Sequence, residues 1–538
     1  MKKRVQRVTG EYDHESLLVG QIAGCISILS FLYYLRNDAS VMYGDAVAHM
    51  NIARRVIDSI TPGPLQLGTV WLPLPHILTI PFLASKTMWQ PGIGGSLPSM
   101  IAYVFSAVGI FRLVRDALRT EAEPDYAART AAWIATLTFV ANPNLIYLQT
   151  TAMTEPLCLA FFVWSLVYFS QFVRGGPEKT LIRCGWCVAG ATLTRYDGWF
   201  LAGVLCVVGV AVVFIKRSDS KRALLRFVLL AMAGPLLWLG YNWIVYQNPL
   251  EFANGQYSAK AIEARISHTG TINPAEHSVR VAAIFIIKAA KMSLAEGHWQ
   301  KLWWVFGIAG LGAIACQRRL WPLLLLWIPL LFYTLSLAYG DVPIYLPVWW
   351  PFSYYNVRFG VELLPAFAAT AGLTTHLLTR LWLTSYSRTV VSVAALALIG
   401  GSYVSVWRAQ PISYREAFVN SRGRIALETR LARELMRLPE NTTYLMYLGD
   451  HVGVMQRAGI PFAHVINEGN HRSWKRPSDP EGLWERALSD PAKYADIVIA
   501  FAGDPVSAAM AAKGLQGVVV IHTTGQPEAT IYQTRPLR

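Results

Sequence analysis

The sequence predicts a polytopic α-helical membrane protein of about 11 transmembrane helices, followed by an extracytoplasmic α/β domain. Of the 538 residues, 54% are hydrophobic and only 15% are charged, a composition too apolar for a soluble globular chain. Apolar runs of membrane-spanning length recur up to residue 407, and the composition then changes to one typical of a soluble domain. We therefore divide the chain into a transmembrane module, residues 1–407, and a soluble domain, residues 408–538.

The individual spans follow from the length of the apolar runs. A membrane helix needs about 20 mostly apolar residues, and fewer where neighbouring protein shields it. The apolar run 71–83 is short and contains Pro73, Pro75 and Pro81, so we interpret it as an interfacial or re-entrant segment. This reasoning predicts spans near residues 17–35, 97–115, 127–147, 157–173, 181–195, 197–215, 224–246, 303–317, 320–338, 357–378 and 388–407.

The basic residues predict the orientation in the membrane. The formal net charge is +15, and Lys and Arg cluster in short loops such as 216–226 and 318–319. Basic loops of this kind remain cytoplasmic, so the membrane explains the charge and no nucleic-acid partner is expected. The basic residues near the amino end predict a cytoplasmic N-terminus and a retained first helix rather than a signal peptide. The long loops 36–96 and 247–302 and the C-terminal domain then lie outside a plasma or inner membrane.

The C-terminal part alternates short β-rich runs with helical patterns, which favours a small α/β domain with a partly parallel sheet. Strands are predicted at 443–448, 497–501 and 518–521, and helices near 422–437, 481–488 and 504–513.

Asp45 lies in a charged, helix-patterned run, residues 43–55, just after the first span. On a helix, Asp45 and His49 share one face, and Arg54 follows two turns further along. A carboxylate at a membrane surface is costly unless it has a task, so Asp45 is our first candidate for catalysis. The alternative is a helix N-cap, because an acidic residue after Gly44 favours the start of a helix.

Further segments accompany this run: Trp71-Leu-Pro-Leu-Pro-His76, the stretch from Asn142-Pro143 to Glu155-Pro156, Leu193-Thr-Arg-Tyr-Asp-Gly-Trp199, and Asn356-Val-Arg-Phe359. With them, residues 15–410 resemble the GT-C class of membrane glycosyltransferases, which includes protein O-mannosyltransferases and lipid A aminoarabinose transferases. In that class a helix in the first outer loop begins with an acidic residue, and a second acidic residue follows near a later outer turn. Asp45 matches the first position and Glu155 the second. The Asp-Glu doublet common in mannosyltransferases is absent, because Ala46 follows Asp45.

The resemblance implies inverting transfer of a sugar from a polyprenyl-phosphate donor in the membrane to a lipid, glycan or protein acceptor at the outer face. A carboxylate suits the role of general base toward the acceptor hydroxyl, which we assign to Asp45. Glu155 is then the second catalytic residue, positioning the acceptor or a metal, and a capped helix end before Pro156 is its alternative. No cofactor is certain, and a divalent cation is one option.

Positive charge is needed for the leaving lipid phosphate. Arg195 and Arg358 each lie near the end of a span and are candidates for bidentate contacts, and Arg54 is a third candidate. The adjacent Tyr196 and Asp197 belong to the same segment as Arg195 and are predicted to contact substrate. Each arginine is alternatively an anchor that reaches to lipid headgroups.

Two histidines and one outer loop complete the predicted site. His49 and His76 are candidates to orient Asp45 or to bind a cation, and ordinary polar interface residues are the alternative. The loop 246–260 mixes aromatic rings, which stack on sugars, with amides, which hydrogen-bond to them. Within it, Tyr257 and Lys260 are candidate substrate contacts. An interfacial loop with aromatic anchors explains the same composition.

Two other functions fit parts of this pattern. A transporter or flippase of lipid-linked or small polar substrates would have charges deep within its spans and often an inverted repeat, whereas the charges here lie mainly at the outer ends. A non-enzymatic sensor would bind its ligand through residues 408–538.

Overall fold

The chain is mainly helical up to Leu435, and its β-sheet lies beyond that residue. Helices α1 to α12 cover the first half: α1 His14–Arg36, α2 Gly44–Ile57, α3 Leu74–Leu83, α4 Lys86–Trp89, α5 Ile93–Leu118, α6 Asp125–Val140, α7 Pro143–Leu148, α8 Glu155–Val173, α9 Glu178–Thr192, α10 Asp197–Lys216, α11 Lys221–Tyr246 and α12 Glu251–Asn254. The next six are α13 Val279–Leu294, α14 Gln300–Cys316, α15 Ile328–Tyr339, α16 Leu364–Leu381, α17 Ser385–Ala409 and α18 Ile412–Leu435. This computed structural model describes residues 13–119, 125–255, 258–261, 264, 273–340, 342–381, 384–470, 482–514 and 517–536.

All eleven predicted spans coincide with helices, but their lengths differ. Among the described residues, eight stretches are long and apolar enough to cross a membrane, and they include α1, α5, α8, α10, α11, α15, α16 and α17. The other three, α6, α9 and α14, have 16, 15 and 17 residues. At about 1.5 Å per residue each is about 22–26 Å long, less than the roughly 30 Å hydrocarbon core. The chain is therefore an integral membrane protein with eight such helices, and the count of eleven is not confirmed.

The segment between α1 and α5 contains helices that are too short to span the membrane. The run 71–83 forms α3, which has 10 residues and contacts α2 and α5. At about 15 Å, it is half as long as a span needs to be. Its first backbone N–H, from Leu74, donates to the carbonyl of Leu193 at 3.0 Å. This bond attaches the segment between α1 and α5 to residues 193–199.

Helix α13 lies in a region that the sequence analysis assigned to an outer loop. Its buried residues include Ala282, Ile286, Ala289 and Ser293, which recur at helical spacing along one face. That face packs against the 3-10 helix Val357–Leu363. The prediction missed this helix because its basic residues make the run less apolar than a span.

The C-terminal sheet has five strands, β1 Tyr444–Met446, β2 Val465–Ile466, β3 Ile497–Phe501, β4 Val519–Ile521 and β5 Ala529–Gln533. Their order is β2-β1-β3-β5-β4, with β1 parallel to β2 and β3 and the β3–β5 and β4–β5 pairs antiparallel. The partly parallel sheet and its three predicted strands are confirmed. Strand β2 has only two residues, and β5 mixes polar with apolar residues, so neither formed a visible apolar run. Four helices follow α18: α19 Gly453–Ala458, α20 Leu483–Ser489, α21 Pro491–Tyr494 and α22 Pro505–Lys513.

The C-terminal region packs directly on α2. The Asn51 side chain donates to Gln456 Oε1 at 2.9 Å, and Gln456 donates to the carbonyl of Trp89 at 2.9 Å. The Tyr43 hydroxyl donates to the carbonyl of Ser413 at 2.7 Å. Because these contacts are buried, residues beyond 407 help to fix the position of the Asp45 helix.

Candidate active site

Arg358 lies at the centre of the site and contacts three carboxylates. Its Nη2 donates to Asp45 Oδ2 at 2.6 Å, its Nε to Glu155 Oε1 at 3.1 Å, and its Nη1 to Glu416 Oε1 at 2.6 Å. Charge-assisted hydrogen bonds of this kind are about twice as strong as neutral ones. One guanidinium therefore joins α2, α8 and α18.

The local structure around Arg358 restricts its side chain. Arg358 lies in the 3-10 helix Val357–Leu363, where a Cβ on Gly360 would collide with the backbone of Ala289. This close approach holds the segment against α13. The guanidinium carbon lies 5.1 Å from the ring centre of Tyr43 and 5.2 Å from that of Phe359. Both distances are typical of cation–π contacts, so rings as well as carboxylates hold the guanidinium.

Arg195 forms the second half of the site. Its Nη1 lies 3.2 Å from Glu155 Oε1 and donates to Thr154 Oγ1 at 2.9 Å. Its Nη2 donates to the Tyr333 hydroxyl at 2.9 Å, and that hydroxyl donates to Asp197 Oδ2 at 3.0 Å. The Arg195 Nε lies 3.4 Å from Asp197 Oδ2 and 4.0 Å from Glu362 Oε1. Arg195 is thus surrounded by carboxylates and hydroxyl groups.

Glu155 connects the two arginines. Its side chain has no exposed surface, and its Oε1 contacts both Arg195 and Arg358. Glu155 is the first residue of α8 and is followed by Pro156, which suits the first turn of a helix. A carboxylate there also interacts favourably with the helix dipole.

Asp45 differs from Glu155 in exposure. Its side chain is 44% exposed, whereas that of Arg358 is 9% exposed. Asp45 lies in the first turn of α2, whose N-cap is Tyr43 with no side-chain capping bond. The Asp45 carboxylate therefore pairs with Arg358 at the accessible edge of the cluster. Tyr43, and not Asp45, is the N-cap of α2.

His49 and His76 form a buried pair. His49 Nδ1 and His76 Nε2 are 2.9 Å apart, and the His49 ring lies 4.4 Å from that of Trp71. Burial, together with the charges of Arg195 and Arg358, lowers the pKa of His49 from 6.5 to about 3. Burial and the neighbouring His49 and Arg55 also hold the pKa of His76 well below 6.5. Both imidazoles are therefore neutral at pH 7, and one donates to the other.

The structure places the remaining sequence candidates elsewhere. Arg54 Nε donates to Asp58 at 2.7 Å, and its Nη1 donates to the carbonyls of Leu83 and Ala84. The Tyr196 hydroxyl donates to the carbonyl of Val70 at 2.8 Å, and its ring stacks on Phe252.

Two candidates belong to the loop 246–260, which the sequence analysis assigned to the outer side. Lys260 is exposed within the short segment 258–261. Tyr257 lies outside the described residues. The contacts of this loop with a substrate therefore stay a prediction.

The sequence analysis missed three residues of the site: Glu362, Tyr333 and Glu416. Glu362 lies inside a predicted span, and an ionisable residue within a span is a signal of function that was available. Tyr333 also lies within a span, where tyrosine is common. Glu416 lies beyond residue 407 in the expected soluble domain, and nothing in its local sequence distinguishes it. Its place in the site follows only from the packing of α18.

The divalent cation was predicted only from the resemblance. Within the ranges that the structure describes, no group of three or more His, Cys, Asp or Glu is placed to hold one. The carboxylates of the cluster pair with arginines, and the two histidines pair with each other. The divalent cation stays a prediction from the resemblance.

Comparisons with known proteins identify the fold. No protein-family model and no curated protein sequence matches the chain. The crystal structure of ArnT from Cupriavidus metallidurans bound to undecaprenyl phosphate aligns with a TM-score of 0.55 and 13% identity, covering 97% of this chain and 98% of that one. ArnT in the apo state aligns with a TM-score of 0.54 and 13% identity, over 94% and 97% of the two chains. The alignment includes the C-terminal region as well as the membrane helices. The chain therefore has the fold of the GT-C membrane glycosyltransferases, as its resemblance to that class predicted.

Proposed function

We propose that this protein transfers a sugar from a polyprenyl-phosphate-linked donor to an acceptor at the outer face of the membrane. The observation that carries the proposal is the exposed Asp45 carboxylate, bound to Arg358 at the edge of a buried network with two arginines. The shared fold with ArnT, whose structure contains undecaprenyl phosphate, supports a lipid-linked donor. The acceptor class, lipid, glycan or protein, remains open in this proposal.

Asp45 acts as the general base in this reaction. It takes the proton of an acceptor hydroxyl while that oxygen forms a bond to the anomeric carbon of the sugar. The bond from this carbon to the phosphate oxygen breaks, and its electron pair leaves with the lipid phosphate. Attack opposite to the leaving group inverts the anomeric configuration. Asp45 suits the role because its side chain is the exposed carboxylate of the Arg358 cluster.

The arginines stabilise the leaving phosphate. Arginine has five N–H donors in a planar fork that matches phosphate oxygens. Among the described residues, the three carboxylates take three of these donors from Arg358, which leaves two for an incoming phosphate. Glu155 has no exposed surface, so we propose that it acts through Arg195 and Arg358 rather than on the acceptor.

Asp45 and residues 408–538 belong to the outer side in this proposal. The basic cytoplasmic loops support the orientation, and the bond from Tyr43 to Ser413 supports a common side for the two regions. A single cysteine at exposed Glu528, in a variant whose six native cysteines are replaced by serine or alanine, tests it. We expect a membrane-impermeant maleimide to label this cysteine in intact cells, and labelling only after lysis would contradict the orientation.

Transfer by the purified protein in proteoliposomes tests the function. With a set of polyprenyl-phosphate sugars as donors, Asp45→Asn is expected to reduce transfer by about 100-fold or more, since it removes the base. Asp58→Asn is the matched control, because Asp58 ends the same helix and also pairs with an arginine, Arg54. Full turnover by a folded Asp45→Asn variant would refute the assignment of the base.

A further inference from the structure

Glu416 is a buried carboxylate contributed by the C-terminal region to the Arg358 cluster. Its side chain is 1% exposed and lies on α18, after the last predicted span. Its Oε1 accepts from Arg358 Nη1 at 2.6 Å, and its Oε2 accepts from the backbone N–H of Arg358 at 3.2 Å. Glu416 therefore holds Arg358 at both ends, the backbone and the guanidinium.

The same turn of α18 also fixes the helix of Asp45. Ser413, three residues before Glu416, accepts at its carbonyl from the Tyr43 hydroxyl at 2.7 Å. Tyr43 is the N-cap of α2, two residues before Asp45. The backbone N–H of Ser413 donates to Asn144 Oδ1 at 2.9 Å, which anchors this turn to α7. One helical turn thus sets the relative position of Asp45 and Arg358, which are 313 residues apart in sequence.

We propose that Glu416 is a positioning residue, which holds Arg358 so that its guanidinium engages one oxygen of Asp45 and leaves the other for the acceptor. The inference rests on the proposed sugar transfer. Without Glu416, the Nη1 donor turns toward Asp45, and a bidentate Arg–carboxylate pair forms that occupies both oxygens of the base. The C-terminal region then has a direct part in the geometry of the reaction.

Steady-state kinetics of three variants test the proposal. Glu416→Gln is expected to lower kcat by about 10- to 100-fold, the scale of a misplaced catalytic group. Its KM for the lipid-linked sugar should change by less than about threefold, because uniform substrate binding is retained. Glu416→Asp keeps the charge and should recover part of kcat. An unchanged kcat in Glu416→Gln would overturn the proposal.

Glu428→Gln is the matched control. Glu428 lies on the same helix, is also 1% exposed, and pairs with Arg424 and Arg457 at 2.9 Å and 3.2 Å. It should lose stability as Glu416→Gln does, yet keep the kcat of the wild type. Equal losses of kcat in both variants would assign Glu416 a merely structural role.

Reaction of Arg358 with phenylglyoxal gives a second readout that needs no turnover. In the wild type the guanidinium pairs with three carboxylates and its side chain is only 9% exposed, so modification should be slow. We expect Glu416→Gln to accelerate it several-fold in peptide mass spectrometry, and Glu428→Gln to leave it unchanged. Equal rates in all three proteins would refute the positioning of Arg358 by Glu416. A wild type that transfers no sugar would instead refute the proposed function, and the modification rates would still decide the role of Glu416.

Discussion

The two arginines of the site have opposite surroundings. Arg358 contacts Asp45, Glu155 and Glu416, and its cluster reaches the surface through the exposed Asp45 side chain. Arg195 contacts Tyr333, Asp197 and Glu155, and the adjoining Glu362 is buried. Asp197 and Glu362 line a small cavity together with Cys158. One half of the network therefore ends at an accessible base, and the other ends at carboxylates that are at most 10% exposed.

This difference separates two tasks within one network. A group that exchanges a proton with an acceptor must be accessible, and Asp45 is. A group that holds charge against a leaving phosphate is strengthened by burial, since water screens it less. Glu155 contacts both arginines and so keeps the two halves at a fixed distance. We therefore expect the Arg358 half to have the larger effect on the reaction and the Arg195 half to have the smaller one.

Arg358→Lys should have the largest effect. Lysine keeps the charge but has no planar fork to bridge three carboxylates. We expect transfer to fall by about 100-fold, as for loss of a transition-state donor. Arg115→Lys, which alters a bidentate pair with Asp13 at the start of α1, is the control and should retain transfer. Transfer above half of the wild-type rate in Arg358→Lys would contradict the asymmetry between the two arginines.

Arg195→Lys should reduce transfer less. Lysine lacks the planar fork that contacts Glu155, Thr154 and Tyr333 together, and loss of a hydrogen bond to a charged group, about 1.5 kcal/mol or more, corresponds to a decrease of about tenfold. Parallel rate measurements of the two lysine variants give the comparison directly. A greater loss in Arg195→Lys than in Arg358→Lys would reverse the roles of the two halves.

Acid should destabilise the protein through the histidine pair beside both arginines. The pKa of His49 is near 6.5 when unfolded and about 3 when folded, so below pH 6.5 only the unfolded state binds the extra proton. The free energy of unfolding should therefore fall by about 1.4 kcal/mol for each pH unit below 6.5 per such histidine. Thermal unfolding between pH 5 and pH 7 measures the slope. His49→Gln should flatten it, and an unchanged slope would show that His49 does not cause it.

Tyr333→Phe should have the smallest effect. It removes a hydroxyl that accepts from Arg195 and donates to Asp197, and each hydrogen bond to a charged group contributes about 1.5–3 kcal/mol. Arg195 keeps its contacts with Glu155 and Thr154. We expect a stability loss of that size and a change in transfer of less than about threefold. Tyr103→Phe, whose hydroxyl bonds a distant carbonyl on Val140, is the control. A fall in transfer of more than tenfold would give Tyr333 a part in the reaction.

Local sequence patterns were sufficient to predict the helices and four charged residues of the site. The apolar runs predicted helices at all eleven places, because hydropathy reports burial in lipid or protein whatever the contacts are. The number of spans is not confirmed, since α6, α9 and α14 are shorter than a bilayer core. Asp45, Glu155, Arg195 and Arg358 were recognised as charged residues at the ends of helices, and these four do share one network.

Other assignments depended on neighbours that no local pattern reveals. Arg54 has the same guanidinium group as Arg358, yet it pairs with Asp58 and donates to the carbonyls of Leu83 and Ala84 at the end of α3. The sequence by itself determined the class of membrane protein, the helix of Asp45 and which charged residues lie at the ends of helices. Only the tertiary structure decided that Glu416 joins them and that Asp45 is the exposed carboxylate of the Arg358 cluster. The reason is physical: burial and ion pairing depend on contacts between residues hundreds of positions apart, such as the 313 that separate Asp45 from Arg358.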